Sequence, residues 1–225
     1  MTTISKITPA DFMRAPNLVS LLRVALTPVM AYLLWRGDNT SALVCLGLMI
    51  VAGISDGLDG YLARRLNQVT QLGLVLDPLA DKVMAAVLVI ALIWFRGFPL
   101  WLALIIVGRD ILILLAGLLL LRGQKLLVPS NLAGKYAFAA IAVLISSYVI
   151  RFPFGMQMTT YAVVILIALS VVQYARVFAL VKSGRRPRVF ADRPLYRALR
   201  TIATVAYAVP FLFYLYFYLP NIINR

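Results

Sequence analysis

The sequence contains no histidine, no glutamate and a single cysteine, Cys45. Those absences exclude disulfides, Cys/His zinc sites and every Ser-His or Cys-His nucleophilic arrangement. Cys45 is read as a small packing residue. Negative charge is scarce: all eight acidic residues are aspartate, against 22 basic ones. Five of those aspartates fall inside apolar segments, where a carboxylate is costly and usually functional.

Apolar residues supply 63% of the 225 positions, and mean hydropathy is +0.93, well above a soluble domain of this length. The net charge of +14 could suggest nucleic acid, but the long apolar runs leave no room for a soluble basic domain. Basic loops that orient a membrane protein and touch anionic lipid explain it better, so no nucleic-acid partner is expected. The polar first sixteen residues argue against a cleavable signal peptide.

Seven windows are long enough to cross a bilayer: about 17–35, 41–62, 73–95, 98–121, 131–150, 157–181 and 202–220. Gly, Pro and Arg mark the joints between them, as in Arg36-Gly37-Asp38 and Arg96-Gly97-Phe98-Pro99. The expected fold is all-α: a polytopic transmembrane helical bundle of six core spans plus a seventh, C-terminal apolar helix. That last window is rich in tyrosine, an interfacial residue, and has Pro210 mid-run, so its crossing is the least secure. The chain divides into a membrane domain (1–182), a basic cytoplasmic linker (183–201) and the C-terminal segment (202–225).

With the N-terminus inside, thirteen basic residues outside the spans fall on the cytoplasmic side and four, Arg36, Arg96, Arg151 and Arg225, on the other. The asymmetry gives a cytoplasmic N-terminus. It also lays KSGRRPRVFADRPLYRALR (182–200) on anionic headgroups.

The second and third spans carry the chemistry. Residues 56–64 read DGLDGYLAR and residues 73–81 read GLVLDPLAD. Asp56, Asp59, Gly60, Ala63 and Arg64 fall on one face of a helix, as do Gly73, Asp77 and Asp81. The short connecting loop makes the two helices antiparallel neighbours, so four carboxylates are expected to converge. Together they need cations, and hard divalent ions with oxygen ligands, Mg²⁺ or Mn²⁺, fit best. Gly60, Gly73 and Ala63 leave a slot on the same face, and Arg64 can meet a phosphate bidentately. Metals, slot and arginine read as a pyrophosphate-nucleotide site.

The stretch DGLDGYLARRLNQVTQLGLVLDPLAD resembles the signature of the CDP-alcohol phosphotransferase family, with every fixed position filled and every spacing intact. The resemblance extends to NLVSLLR (17–23) and more loosely to GRD (108–110) and GK (134–135), covering roughly residues 10–182. It implies that Asp56, Asp59 and Asp77 hold two metal ions. Asp81 would complete the metal shell and take the acceptor's proton. Gly60 and Ala63 would line the cytidine slot, with Arg64 and Thr70 on the nucleotide phosphates. Asn17 and Ser20 are read as nucleotide contacts, with capping of the first helix as the alternative. Arg109 and Lys135 are read as binding an acceptor phosphate, against lipid-ward snorkelling or pairing with Asp110. Arg23 and Arg176 are divided between site and lipid headgroup, and Lys82 offsets the acids.

The phosphatidylglycerolphosphate and cardiolipin synthase branch is the nearest likeness. The expected partners are CDP-diacylglycerol, a small alcohol-phosphate acceptor and membrane lipids, with a homodimer left open. Glycerol 3-phosphate is the first choice of acceptor; phosphatidylglycerol and inositol phosphate are the alternatives. The expected location is a multi-pass position in a bacterial inner membrane, with the active site facing the cytoplasm. An ion-coupled transporter would explain membrane aspartates but not the Gly and Ala-Arg spacings or the missing inverted repeat. A non-catalytic scaffold would not need all four acids.

Overall fold

The computed structural model describes residues 15–65, 71–121, 132–183 and 194–223. Among these residues the chain is all-helical. The helices are α1 (Ala15–Arg36), α2 (Asn39–Arg65), α3 (Gln71–Arg96), α4 (Leu100–Leu121), α5 (Leu132–Val149), α6 (Pro153–Lys182) and α7 (Pro194–Ile223). Among the described residues, two stretches are long and apolar enough to cross a membrane: Pro153–Leu180 in α6 and Thr201–Ile223 in α7.

The first compact unit, Met1–Phe98, is organised by α1, which packs on both α3 and α2. Among the described side chains of α1, Ser20, Arg23, Thr27, Met30 and Leu34 are buried. Their alternating three- and four-residue spacing makes a single seam along one face. The facing residues on α2 and α3 are mostly small: Ala42, Cys45, Ala52, Ala80 and Ala91 are buried. Small side chains let helix backbones approach closely. Cys45 packs with its Sγ 3.8 Å from the Met30 carbonyl oxygen, the role its isolation in the sequence suggested.

The α1–α2 joint is two residues long. Gly37 takes φ 78°, a left-handed value that costs glycine nothing. Asp38 then caps α2: its Oδ2 accepts the Ser41 N–H at 2.8 Å, and its Oδ1 accepts the Ser41 hydroxyl at 2.7 Å. The Ser41 amide, helped by the Ser41 hydroxyl and by Arg36, holds the Asp38 carboxyl below its ordinary pKa.

The second unit, Pro99–Arg225, is built around α6, which contacts α5, α4 and α7. Its buried stripe runs Gly155, Thr159, Val163, Ile167 and Ser170. The α5–α6 joint is a Schellman closure. Phe152 N–H donates to the Ser147 carbonyl at 2.8 Å, and Arg151 N–H donates to the Tyr148 carbonyl at 3.2 Å. Arg151 sits at φ 52°, a position more often given to glycine.

On α7, Phe211, Tyr214 and Tyr218 face this joint. Phe154 stacks on Tyr214 with ring centroids 4.2 Å apart, and Phe152 meets both Phe211 and Tyr218. The Tyr218 hydroxyl donates to the Arg151 carbonyl. The tyrosines that made this window look interfacial thus also serve as packing and hydrogen-bonding groups. The helix also starts at Pro194, eight residues before the apolar window, so the end of the basic stretch is helical. Proline is well suited to the first turn, and the Leu, Ala and Arg that follow are good helix formers. Away from these seams the helices present apolar side chains outward: Trp94 is 78% exposed, Phe138 73% and Tyr216 71%.

Two outcomes follow from the joints. Asp38→Ala is expected to lower the unfolding temperature in detergent, while Asp38→Asn, which keeps an acceptor, restores most of it. Because the folded pKa is depressed, the native side chain's advantage over alanine is full at neutral pH. It shrinks as pH falls below about 4, the ordinary carboxylate pKa, and through the lower folded value. A gap between native and alanine proteins that does not change with pH would contradict the cap. At Gly155, an added Cβ would overlap the Phe152 ring and come 2.7 Å from Ser147 Oγ. Gly155→Ala is therefore expected to cost about 1–3 kcal/mol in thermal unfolding by overpacking the joint.

Candidate functional site

Helix α2 runs unbroken from 39 to 65, so Asp56, Asp59, Gly60, Ala63 and Arg64 keep their helical spacing over its last three turns. Asp77 and Asp81 lie within the first three turns of α3. The described contacts bring both helices onto α1. Side chains at 56–79 and at 81 lie outside the described residues, as do Thr70 and the side chain of Asn17.

What α1 contributes is described. Arg23 is only 2% exposed, and Ser20 and Thr27 on the same seam are as deeply buried. Arg23 Nη2 donates to Ser20 Oγ at 3.5 Å, and the Thr27 hydroxyl donates to the Arg23 carbonyl at 2.8 Å. A guanidinium this deep cannot serve lipid headgroups. It is a buried cation on the helix shared by both aspartate-bearing helices. Ser20 lies in the second turn of α1, well past the start at Ala15, so capping is not its role. Arg176 is exposed, as is Lys82 beside Asp81.

In the second unit, Arg109 sits midway along α4 with a side chain 11% exposed. Its Nη1 pairs with Asp110 Oδ1 at 2.7 Å, the neighbour that sequence reasoning named as the alternative partner. Its Nη2 donates to Ser170 Oγ on α6 at 3.5 Å. Gly134, in the first turn of α5, lies against the same nitrogen. Lys135 follows with an exposed side chain. Ser170 and Tyr174 were not singled out in the sequence. The one available signal was a lone serine in the run VVILIALSVV, which marks which side of α6 is turned inward.

The donor set at 56, 59, 77 and 81 consists of hard carboxylate oxygens, the chemistry that Mg²⁺ and Mn²⁺ take. Among the described residues, which leave out the side chains of these four aspartates, no cluster of three or more metal-ligating side chains occurs.

Comparison with known proteins bears on the same residues. A 119-residue stretch is 41% identical to rat cardiolipin synthase (CMP-forming), covering 52% of this chain and 38% of that protein. A 104-residue stretch is 43% identical to the CDP-diacylglycerol–glycerol-3-phosphate 3-phosphatidyltransferase of Pseudomonas fluorescens, covering 45% and 53%. The Bacillus subtilis (strain 168) protein of the same name is 34% identical over 149 residues, covering 60% and 76%. The chain thus spans about half or less of the first two relatives and three quarters of the third. Residues 13–174, which include all four aspartates, Arg23, Arg109 and Ser170, match the CDP-alcohol phosphatidyltransferase profile, and the chain belongs to that family.

Proposed function

We propose that this chain is a divalent-metal-dependent phosphatidyltransferase of phospholipid biosynthesis. It moves the phosphatidyl group of CDP-diacylglycerol onto glycerol 3-phosphate and releases CMP. The observation that carries this reading is the complete eight-position signature at the end of α2 and the start of α3. The names of the Pseudomonas and Bacillus relatives support glycerol 3-phosphate as acceptor. The similarity to the rat enzyme supports a second reading, in which phosphatidylglycerol is the acceptor and cardiolipin the product.

Asp56, Asp59, Asp77 and Asp81 hold two Mg²⁺ or Mn²⁺ ions. When bound, these ions offset the pyrophosphate charge and stabilise the attacking and leaving oxygens. Arg64 and Thr70 bind the nucleotide phosphates, Asn17 and Ser20 contact the nucleotide, and Gly60 and Ala63 leave room for the cytosine ring. Arg23 adds a fixed cation from α1, desolvated and so strongly felt. Arg109 and Lys135 bind the acceptor's phosphate. The acceptor hydroxyl oxygen forms a bond to the phosphatidyl phosphorus as the pyrophosphate P–O bond breaks. CMP departs with that electron pair, and Asp81 takes the hydroxyl proton.

The helices other than α6 and α7 also cross the bilayer in this reading, giving six core spans with α7 as a seventh. The N-terminus and the α2–α3 loop face the cytoplasm, on a bacterial inner membrane.

The deciding experiment incubates purified protein with CDP-diacylglycerol, Mn²⁺ and either glycerol 3-phosphate or phosphatidylglycerol, following product lipid and CMP together. Turnover with the first and not the second is expected; the reverse selects the cardiolipin reading. Chelation should abolish transfer, Mg²⁺ or Mn²⁺ should restore it, and Ca²⁺ should support little. Asp81→Asn should reduce kcat on the order of a hundredfold, with CDP-lipid binding surviving better than turnover. Native speed in that variant would remove the base assignment.

Topology is tested in a Cys45→Ala background with a membrane-impermeant thiol reagent. Gln68→Cys should label only from the cytoplasmic side and Thr40→Cys only from the opposite side. Reversed labelling would overturn the orientation.

A further inference from the structure

The guanidinium of Arg109 is held from three directions. Asp110 pairs with Nη1 at 2.7 Å, and Ser170 on α6 accepts from Nη2 at 3.5 Å. A Cβ placed on Gly134 of α5 would stand 3.1 Å from Nη2, 3.8 Å from Ser170 Oγ and 3.9 Å from the Tyr174 hydroxyl. Nε is buried and has no hydrogen-bond partner among the described residues. A long, flexible side chain is thus confined between a carboxylate, a buried hydroxyl and a bare stretch of backbone, with one donor unused among the described residues.

We propose that Gly134 and Ser170 are positioning residues for the acceptor step. They fix where the Arg109 guanidinium lies, and through it how the acceptor's phosphate is bound. The proposal rests on reading Arg109 as the phosphate contact. Ser170 has no exposed surface and follows the apolar Val163 and Ile167 on the inward stripe of α6. A hydroxyl so placed needs a polar partner, and the guanidinium is one. Gly134 works by what it lacks. A methyl at 3.1 Å leaves the helix backbone undisturbed, because the atom it meets is the end of an arginine. That end must give by a few tenths of an ångström. It cannot swing freely, since Asp110 restrains Nη1 and Ser170 and Tyr174 stand beside the space the methyl would take. The substitution therefore redirects the cation without unfolding its surroundings.

The two effects have opposite signs, which separates positioning from packing. Alanine is the better helix former, so Gly134→Ala should hold or raise the unfolding temperature. A displaced guanidinium should at the same time weaken acceptor binding. This differs from Gly155, where the added methyl would meet a ring fixed by its own neighbours.

The test uses the full chain with Mn²⁺, CDP-diacylglycerol and whichever acceptor it turns over. The variants are Gly134→Ala, Ser170→Ala, Arg109→Ala and the double variant Gly134→Ala with Arg109→Ala. Gly134→Ala is expected to raise acceptor KM about tenfold, with CDP-diacylglycerol KM within about twofold of native. Ser170→Ala should raise acceptor KM roughly threefold. Once Arg109 is alanine, Gly134→Ala should add nothing, since the atom it displaces is gone. If Arg109→Ala raises acceptor KM while Gly134→Ala and Ser170→Ala leave it native, the positioning roles fall and the phosphate contact stands. If Arg109→Ala leaves acceptor KM native, the phosphate contact fails and the positioning roles fail with it. If Gly134→Ala lowers the unfolding temperature and raises both KM values together, Gly134 is a packing residue and the inference is overturned.

Discussion

The constraint on which the architecture depends is where polar atoms can go in a chain whose outward surface is apolar. Each helix satisfies most of its own backbone, and its outward side chains are largely apolar while the seams take in both apolar and polar groups. Large apolar groups such as Trp94 and Phe138 point out, while serine, threonine and arginine are drawn into the seams. On the proposed membrane reading no hydrophobic force favours one apolar face over another. Helices associate where small residues allow close contact and polar groups find partners. The seam of α1 is polar from Ser20 to Thr27 and apolar at Met30 and Leu34, against alanines and Cys45. The second unit repeats the device, with Ala137 and Ala140 on α5 and Gly155, Thr159 and Ser170 on α6.

The same constraint gives the aspartates their meaning. Four carboxylates lie near one joint of a chain that otherwise places few acids in its helices. One buried arginine on α1 offsets only part of that charge. Two divalent ions would cancel the four aspartates, leaving Arg23 and Arg64 to meet the two negative charges of a pyrophosphate. Charge balance alone therefore favours a site that is complete only with both metal and nucleotide bound.

The helices were legible in the sequence because apolar runs ended at Arg, Gly and Pro. The windows 17–35 and 73–95 differ from α1 and α3 by one or two residues at each end. The start of α7 was missed because a hydropathy window ends where arginines begin, whereas a helix does not. The inward faces were harder to read. When both sides of a helix are apolar, periodicity no longer marks the packed side, and only an isolated small or polar residue does so. Gly134 was visible as part of a GK pair but carried no meaning until the structure set it beside Arg109. Arg23, divided in the sequence between headgroup and site, is assigned inward by its burial.

The choice of acceptor also has a physical handle in Asp110. Its side chain is 59% exposed, halfway along a helix whose neighbouring outward residues, Ile111 and Leu112, are apolar. A carboxylate held at that depth against hydrocarbon would be costly even when paired with Arg109. On the proposed membrane reading, water reaching the Arg109–Asp110 pair would remove that cost. Phosphatidylglycerol would approach from the bilayer with a single diester charge. Glycerol 3-phosphate would come from water with a monoester that carries nearly two and would gain more from a guanidinium. An exposed acid beside a confined arginine is thus consistent with the soluble acceptor proposed above.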